Sequence, residues 1–254
     1  MKRLFLLGTV ICLVMPMVVI AYLTVVQQWV FPELVHADFT MRHWRETLLG
    51  GNDLLGSLAL SLGISLTVAI VATSLGFGLS EFLTRSSKTQ TWISWSYFPY
   101  VMAPVVLGAM WQFYFVRWGW SGSVLGVVIA QILYATPYAV LFLAGFWNDR
   151  IRQTAFQATT LGAHGRTVFW RIWMPMAKSW LLVCLFQCFL ISWFEYGITQ
   201  LIGVGKVGTL TIQTMQHVRE ANPHLAAVSA CLMIIPTLGL LIINRQIFFR
   251  KIGA

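Results

Sequence analysis

Few side chains in this 254-residue chain have a type and spacing suited to chemistry. Two of its carboxylates, Glu81 and Glu195, interrupt long apolar stretches, where an unpaired charge is costly and marks a functional candidate. Arg85 follows Glu81 by four residues, so a helical ion pair accounts for the first carboxylate. Glu195 keeps two interpretations: contact with a cationic ligand, or a carboxylate at headgroup level paired with Lys206 or Arg219.

No grouping of nucleophiles, acids or metal ligands predicts an enzyme. The three aspartates are far apart in the sequence, and neither H-E-x-x-H nor G-x-S-x-G occurs. The G-x-x-x-x-G-K-[ST] loop that holds ATP phosphates is absent from the sequence. The four cysteines lie in apolar segments and the five histidines are scattered, so neither a disulfide framework nor a metal site is indicated. We therefore predict no catalytic residue and no bound metal or cofactor in this chain.

The most informative pattern lies in a polar, basic stretch at residues 148–179. From Arg150 to Leu161, small residues recur at helical spacing and would let another surface approach closely; they are Ala155, Ala158 and Thr159. Gly162 is expected to end this helix, because glycine is favoured just after a last helical turn. A second segment, Arg166 to Trp173, is expected before Pro175 opens the next apolar span.

Composition indicates that these residues belong to a membrane protein. Hydrophobic residues make up 58% of the chain, only 10% are charged, and the mean hydropathy is +0.75, far from the balance of a soluble domain. Crossing the hydrocarbon core takes about 20 apolar residues. We predict an all-α polytopic membrane protein with about six transmembrane helices in a single domain, 1–254. The spans are Leu4–Val26, taken as an uncleaved anchor, Leu54–Phe82, Trp92–Val116, Ser123–Trp147, Trp180–Leu201 and Leu225–Ile247.

The positions of the basic residues predict the orientation and explain the net charge of +9 without nucleic acid. With both termini in the cytoplasm, the inner segments hold most of the 17 Lys and Arg residues. The outer segments hold the remaining five, which are Arg42, Arg45, Arg117, Lys206 and Arg219. Residues 148–179 then form a cytoplasmic loop between the fourth and fifth spans, with a short helix lying across the cytoplasmic face.

The loop resembles the signature of the inner-membrane components of binding-protein-dependent ABC importers, E-A-A-x-x-x-G followed after nine residues by I-x-L-P. The positions in register are Ala158, Gly162, Ile172 and Pro175, and Leu161 and Ala163 match residues often found beside the glycine. Phe156 and Gln157 replace the glutamate and the first alanine, and Met174 replaces the leucine. The overall resemblance is nearest the polyamine, ferric-ion and thiamine branch, and Ser57, Ser61 and Ser65 weakly resemble the family's entry to its second span.

The resemblance implies a permease subunit that forms a solute path and couples to a separate ATPase through Ala155, Phe156, Gln157, Ala158, Leu161, Gly162, Ala163, Ile172 and Pro175. It further implies a second permease subunit, a cytoplasmic ATPase dimer that binds ATP and Mg, an extracytoplasmic substrate-binding protein, and a bacterial plasma (inner) membrane location. In similar permeases the region of Ser192 and Glu195 lines the translocation path or its outer gate. The alternative is an ion-coupled secondary transporter or channel acting as a homodimer.

Overall fold

The computed structural model describes residues 2–27, 38–49, 53–86 and 88–249. Within these ranges the chain is helical, with one isolated antiparallel bridge between Val26 and Phe39 and no strand, which confirms the all-α prediction. The predicted cytoplasmic cations Arg250 and Lys251 lie outside the described residues. The helices are α1 Lys2–Leu23, α2 Arg42–Leu49, α3 Leu54–Arg85, α4 Thr89–Ser96, α5 Phe98–Val101, α6 Pro104–Arg117, α7 Val124–Ala144, α8 Asp149–Thr160, α9 Gly165–Val168, α10 Met174–Trp193, α11 Gly197–Gly203, α12 Leu210–Arg219 and α13 Pro223–Phe249.

Several of these helices are long and apolar enough to cross a membrane, which confirms a polytopic membrane protein. Four are Leu54–Arg85, Val124–Ala144, Gly165–Trp193 and Pro223–Ile242, and a bent pair, Thr89–Val101 with Pro104–Arg117, is a fifth candidate. The apolar helix Gly8–Leu23 is shorter. The count of six spans stays a prediction.

The third predicted span, Trp92–Val116, is not one straight helix. The chain bends by 96° between Val101 and Pro104, where Met102 and Ala103 are extended. A proline disfavours the helical conformation of the residue before it, and its ring suits the first position of a new helix. Pro104 therefore ends one helix and starts the next.

The fifth span is shifted toward the N-terminus relative to the prediction of Trp180–Leu201. Its helical run covers Gly165–Trp193, followed by a break and the short helix α11. The basic residues near its start suggested a loop, but a helix can continue past the hydrocarbon core while long cationic side chains reach water. The predicted loop 148–179 is correspondingly shorter and ends near His164.

Pro175 lies inside this helical run and does not open the span, contrary to the sequence prediction. A proline in a helix removes one backbone hydrogen bond and crowds the carbonyl four residues before it. That carbonyl belongs to Arg171, within a π-helical segment, Phe169–Trp173, that directly precedes α10. The wider π turn is where this helix accommodates the proline.

The chain divides into two compact units, Met1–Ser61 with Gly208–Leu238 and Leu62–Val207 with Gly239–Ala254. In the first unit, the rings of His43 and His224 stack with centroids 4.5 Å apart. His43 Nε2 lies 3.1 Å from the carbonyl oxygen of Val26, and His224 Nδ1 lies 3.0 Å from that of Leu23. These histidines hold the end of α1 and are structural.

The second unit carries the predicted functional residues. Its core includes the fully buried side chains of Leu143, Phe189, Trp193, Ile198 and Ile202. Helix α10 packs against α7, and α11 packs against both α6 and α7. The run Gly165–Trp193 has 29 residues and is therefore about 43 Å long, which is enough to cross the hydrocarbon core of a membrane.

Candidate functional site

Helix α8 confirms the helix predicted from Arg150 to Leu161. The Asn148 side chain caps its N-terminus by accepting a 3.1 Å hydrogen bond from the backbone N–H of Ile151, and Asp149 adds negative charge to the first turn. At the other end Gly162 has φ +85°, the left-handed conformation that glycine tolerates best. Both helix boundaries are thus fixed by local chemistry.

The C-terminus of α8 is closed by two backbone bonds that define a Schellman motif. The N–H of Gly162 donates to the carbonyl of Thr159, and the N–H of Ala163 donates to that of Ala158, each over 3.0 Å. A Cβ at Gly162 would meet nothing within 4 Å. The glycine is required by its backbone conformation and not by close packing.

The predicted coupling residues differ in exposure. Leu161 and Phe156 are 88% and 68% exposed, and Gln157, Gly162 and Pro175 are also exposed. The remaining members, Ala155, Ala158, Ala163 and Ile172, are half-buried. The structure brings 155–163 together on α8 and its C-cap, whereas Ile172 and Pro175 lie on the following helical run. Their role in coupling stays a prediction.

Helix α8 is tied to the end of α3. Arg152 Nη2 donates a 2.6 Å hydrogen bond to the carbonyl of Thr84, and the side chain of Ile151 is buried. The predicted ion pair on α3 is present, with Arg85 Nε 2.5 Å from Glu81 Oε1. These contacts border a cavity of about 440 Å³, which we call the Arg152 cavity, between the end of α3, α8 and residues 165–173.

The other end of the run Gly165–Trp193 holds a chain of buried polar side chains. Ser192 Oγ lies 2.5 Å from Gln131 Oε1 and 3.2 Å from Ser65 Oγ, and Gln131 Nε2 donates to Thr199 Oγ1 over 2.8 Å. Thr199 Oγ1 in turn donates to Glu195 Oε2 over 2.8 Å. We call these five side chains, which join α3, α7, α10 and α11, the Glu195 network.

A carboxylate at one end fixes the direction of every bond in the Glu195 network. Because Glu195 only accepts, the Thr199 hydroxyl must donate to it and must itself accept from the amide NH₂ of Gln131. The Gln131 oxygen then accepts the single proton of Ser192, so Ser65 is the donor to Ser192. Each hydroxyl and amide in the Glu195 network therefore has a hydrogen-bond partner.

Glu195 is also the N-terminal cap of α11. Its Oε1 accepts from the N–H of Ile198 over 2.7 Å, and its Oε2 accepts from the N–H of Thr199 over 2.9 Å. A carboxylate at a helix N-terminus is stabilised by these otherwise unpaired donors and by the helix dipole. Glu195 is only 6% exposed, so its carboxylate is enclosed by protein.

Helix α11 is held at its other end and along its side as well. The carbonyl of Ile202 accepts from the N–H of Gly122 over 2.7 Å. A Cβ at Gly197 would come within 2.5 Å of Val105 on α6, so only glycine permits this approach. The Glu195 network therefore positions a tightly packed short helix.

The sequence predicts two members of this network, Ser192 and Glu195, as site residues, and Ser65 only weakly resembles a family position. It does not single out Gln131 or Thr199. The available signal was a single amide, Gln131, within the otherwise apolar span α7, since a polar side chain in hydrocarbon needs a partner. Its partner lies 68 residues away and no spacing rule identifies it.

The fold defines a polytopic α-helical membrane protein with a capped helix between two spans, and its relatives are permeases. It is 26% identical over 164 residues to sulfate permease 2, chloroplastic, of Chlamydomonas reinhardtii, covering 59% of this chain and 44% of that one. It is 27% identical over 159 residues to the molybdenum transport system permease protein ModB of Mycobacterium tuberculosis, covering 58% and 60%. It is 28% identical over 124 residues to the putative 2-aminoethylphosphonate transport system permease protein PhnU of Salmonella typhi, covering 48% and 43%. No family model matches the chain.

These relatives confirm the resemblance predicted from the sequence: the chain is related to the inner-membrane permease subunits of ABC importers. The matched regions cover about half the length of the relatives, between 43% and 60%. The narrower resemblance to the polyamine, ferric-ion and thiamine branch stays a prediction.

Proposed function

We propose that the chain is the membrane-spanning permease subunit of an ATP-binding-cassette importer and that α8 couples it to a separate cytoplasmic ATPase. The observation that carries this proposal is α8 itself, a helix capped at both ends that ties to α3 and leaves Leu161 and Phe156 exposed. Large apolar side chains exposed on a polar helix favour a partner that covers them. On the same helix and its C-cap, Ala158 and Gly162 match the register of the importer signature, whereas Phe156 replaces its glutamate.

Coupling through α8 would be mechanical. ATP and Mg bind to the ATPase dimer, whose closure carries α8 with it, and two permease subunits rock to open their shared path to alternate sides of the membrane. Arg152 transmits this movement to α3 through its bond to Thr84, and the short connection 161–164 transmits it to the run Gly165–Trp193. A substrate-binding protein delivers the solute on the other side.

The proposed location is the bacterial plasma membrane, with both termini in the cytoplasm, because most of the basic residues then lie on the cytoplasmic side. For the solute, we propose a small charged molecule. Support comes from the relatives, whose names include sulfate and 2-aminoethylphosphonate, both of which carry a negatively charged oxyacid group.

The test is co-purification of the tagged chain with a co-expressed P-loop ATPase, followed by ATP-driven uptake in vesicles. Leu161→Asp is expected to abolish both association and uptake, because it places a charge on an apolar contact without disturbing a buried group. Met41→Asp is the matched control: Met41 is 69% exposed and lies on a predicted outer segment, so its variant should retain both properties.

Unchanged association and uptake in Leu161→Asp would contradict the role of α8. Uptake by the chain alone, driven by an ion gradient and independent of ATP, would favour the alternative of an ion-coupled carrier or channel. The buried carboxylate of Glu195 is typical of such carriers, but its two oxygens already accept three hydrogen bonds from α11.

A further inference from the structure

The Arg152 cavity combines an apolar wall with cationic groups. The wall includes Trp147, Ile151 and Val168, which are all buried, and the indole of Trp173. With a volume of about 440 Å³, the cavity is large enough for a lipid headgroup and its glycerol region. An apolar wall of this size suits an amphiphile better than a free inorganic ion.

The charged groups that line the cavity, Glu81, Arg85 and Arg152, have a net charge of +1. Glu81 and Arg85 neutralise each other, and Arg85 also lies over the Trp173 ring, with 5.9 Å between its Cζ and the ring centroid. Arg152 uses one of its five N–H donors on the carbonyl of Thr84. Its remaining donors make it the group suited to an anion.

One buried polar atom beside the cavity has no partner. Within the described ranges, Trp173 Nε1 has no hydrogen-bond partner, whereas Glu81 Oε1 lies 2.5 Å from Arg85 Nε in the ion pair described above. Buried donors are normally paired, so the indole N–H calls for an acceptor. The cavity thus needs an acceptor opposite Trp173.

The position of the cavity in the fold identifies where such a molecule comes from. Arg85 is the last residue of α3, and residues 165–173 begin the run Gly165–Trp193, and both helices are candidate spans. Tryptophan and arginine at span ends are typical of the headgroup layer. Basic pockets between spans on the cytoplasmic side are where anionic headgroups bind.

We propose that the Arg152 cavity binds an anionic phospholipid such as phosphatidylglycerol. The phosphate accepts hydrogen bonds from Arg152 and from Trp173 Nε1, and the glycerol region packs on Trp147. The single negative charge of this lipid complements the net +1 of the lining. The proposal does not rest on coupling to an ATPase.

The test uses the purified full-length chain in a neutral detergent, with phosphatidylglycerol or phosphatidylcholine added, and measures Tm and the lipid retained in native mass spectrometry. Phosphatidylglycerol is expected to raise Tm and to remain bound, and phosphatidylcholine is not. Arg152→Gln should weaken phosphatidylglycerol binding at least tenfold. Trp173→Phe keeps an aromatic ring, although a smaller one, loses the N–H donor and should weaken binding several-fold.

Arg150→Gln is the matched control, because Arg150 is an exposed cation on the same helix that does not line the cavity. It should bind phosphatidylglycerol as the unaltered chain does. Because each variant's lipid response is measured against its own lipid-free Tm, a lower starting stability does not obscure the result.

Four outcomes would overturn the proposal. Equal losses in Arg150→Gln and Arg152→Gln would show general surface attraction. An equal response to phosphatidylcholine would show non-specific solvation. A similar shift with inorganic phosphate alone would show a free-anion site, and no shift with any lipid would show that the cavity takes another occupant, such as an acidic side chain of a partner protein.

Discussion

The two ends of the helical run Gly165–Trp193 satisfy their polar groups in opposite ways. At one end, the Glu195 network pairs each buried hydroxyl, amide and carboxylate oxygen within a single chain of bonds. At the other, the Arg152 cavity leaves Trp173 Nε1 without a hydrogen-bond partner among the described residues and is lined by the cation Arg152. The first arrangement is suited to holding a fixed structure and the second to binding a partner.

This difference matters because the loss of unfolding free energy on removing a polar group depends on whether its former partners stay unpaired. In a closed buried network, deletion of one member leaves its neighbours without partners in an apolar environment. In the Arg152 cavity, the pair of Glu81 and Arg85 is partly exposed, so water reaches the groups that a deletion in this pair frees. The two regions should therefore respond unequally to substitutions that look similar in sequence.

The largest effect is expected for Glu195→Ala. The substitution leaves two backbone N–H groups of α11 and the Thr199 hydroxyl without their acceptor, in a site where the side chain is 6% exposed. We expect a loss of about 3 kcal/mol in the free energy of unfolding, combining a lost cap with buried unpaired donors. Denaturant unfolding of the purified chain measures it.

Glu46→Ala is the control for that prediction, since Glu46 belongs to an exposed ion pair with Arg42 on α2. It should change stability little. If Glu195→Ala unfolds with nearly the same free energy as Glu46→Ala, the carboxylate is not the structural cap of α11, and a direct role along the solute path becomes the better interpretation.

Gln131→Met should have the next largest effect. Methionine fills a similar volume but removes the close acceptor of the Ser192 proton, which can then turn only to Ser65 Oγ 3.2 Å away, and leaves Thr199 Oγ1 without a donor, at a position that is 2% exposed. The expected loss is about 2 kcal/mol. A double-mutant cycle with Thr199→Val should give a coupling energy of about 1 kcal/mol, because the two side chains share one bond.

The same cycle with Thr67→Val should be additive, since Thr67 is exposed and its hydroxyl bonds the carbonyl of Gly63 within its own helix. Additivity in both cycles would mean that Gln131 contributes by packing alone, and the network would then be a set of independent contacts.

Gly162→Ala should produce a smaller, local effect. Alanine at φ +85° is strained by about 1 kcal/mol even though its Cβ would meet nothing within 4 Å. Amide exchange along α8 should therefore be about fivefold faster, as followed by mass spectrometry. Gly165→Ala, which also meets nothing within 4 Å but has no positive φ, should exchange as the unaltered chain does. Similar rates in both variants would contradict a conformational role for Gly162.

The sequence predicts the structure correctly where the determining interactions are local. The helix from Arg150 to Leu161 and its end at Gly162 follow from spacing and from one residue's backbone preference, and the pair of Glu81 and Arg85 follows from their i, i+4 separation. These features need no knowledge of the rest of the fold.

The sequence does not predict the structure where a distant residue or a change of helix type decides it. Gln131 meets Thr199 only because α7 and α11 pack together, and Glu195 turns inward because α11 offers it unpaired N–H groups. Proline is favoured at the start of a helix, but the π turn before Pro175 lets the helix continue through it. The spacing of residues along the sequence predicts none of these three features.

The smallest effect is expected for Glu81→Gln. Glu81 and Arg85 form an i, i+4 pair in which the Arg85 side chain is 65% exposed, so removing the charge should change the free energy of unfolding by about 0.5 kcal/mol or less. Glu195→Gln is the matched change in the closed network, and because it turns one buried acceptor into a donor facing N–H groups, it should cost several times more. Denaturant unfolding of both variants compares them directly. Equal losses would mean that the two carboxylates stabilise the chain in the same way, and that the contrast between a closed network and an open cavity does not govern its stability.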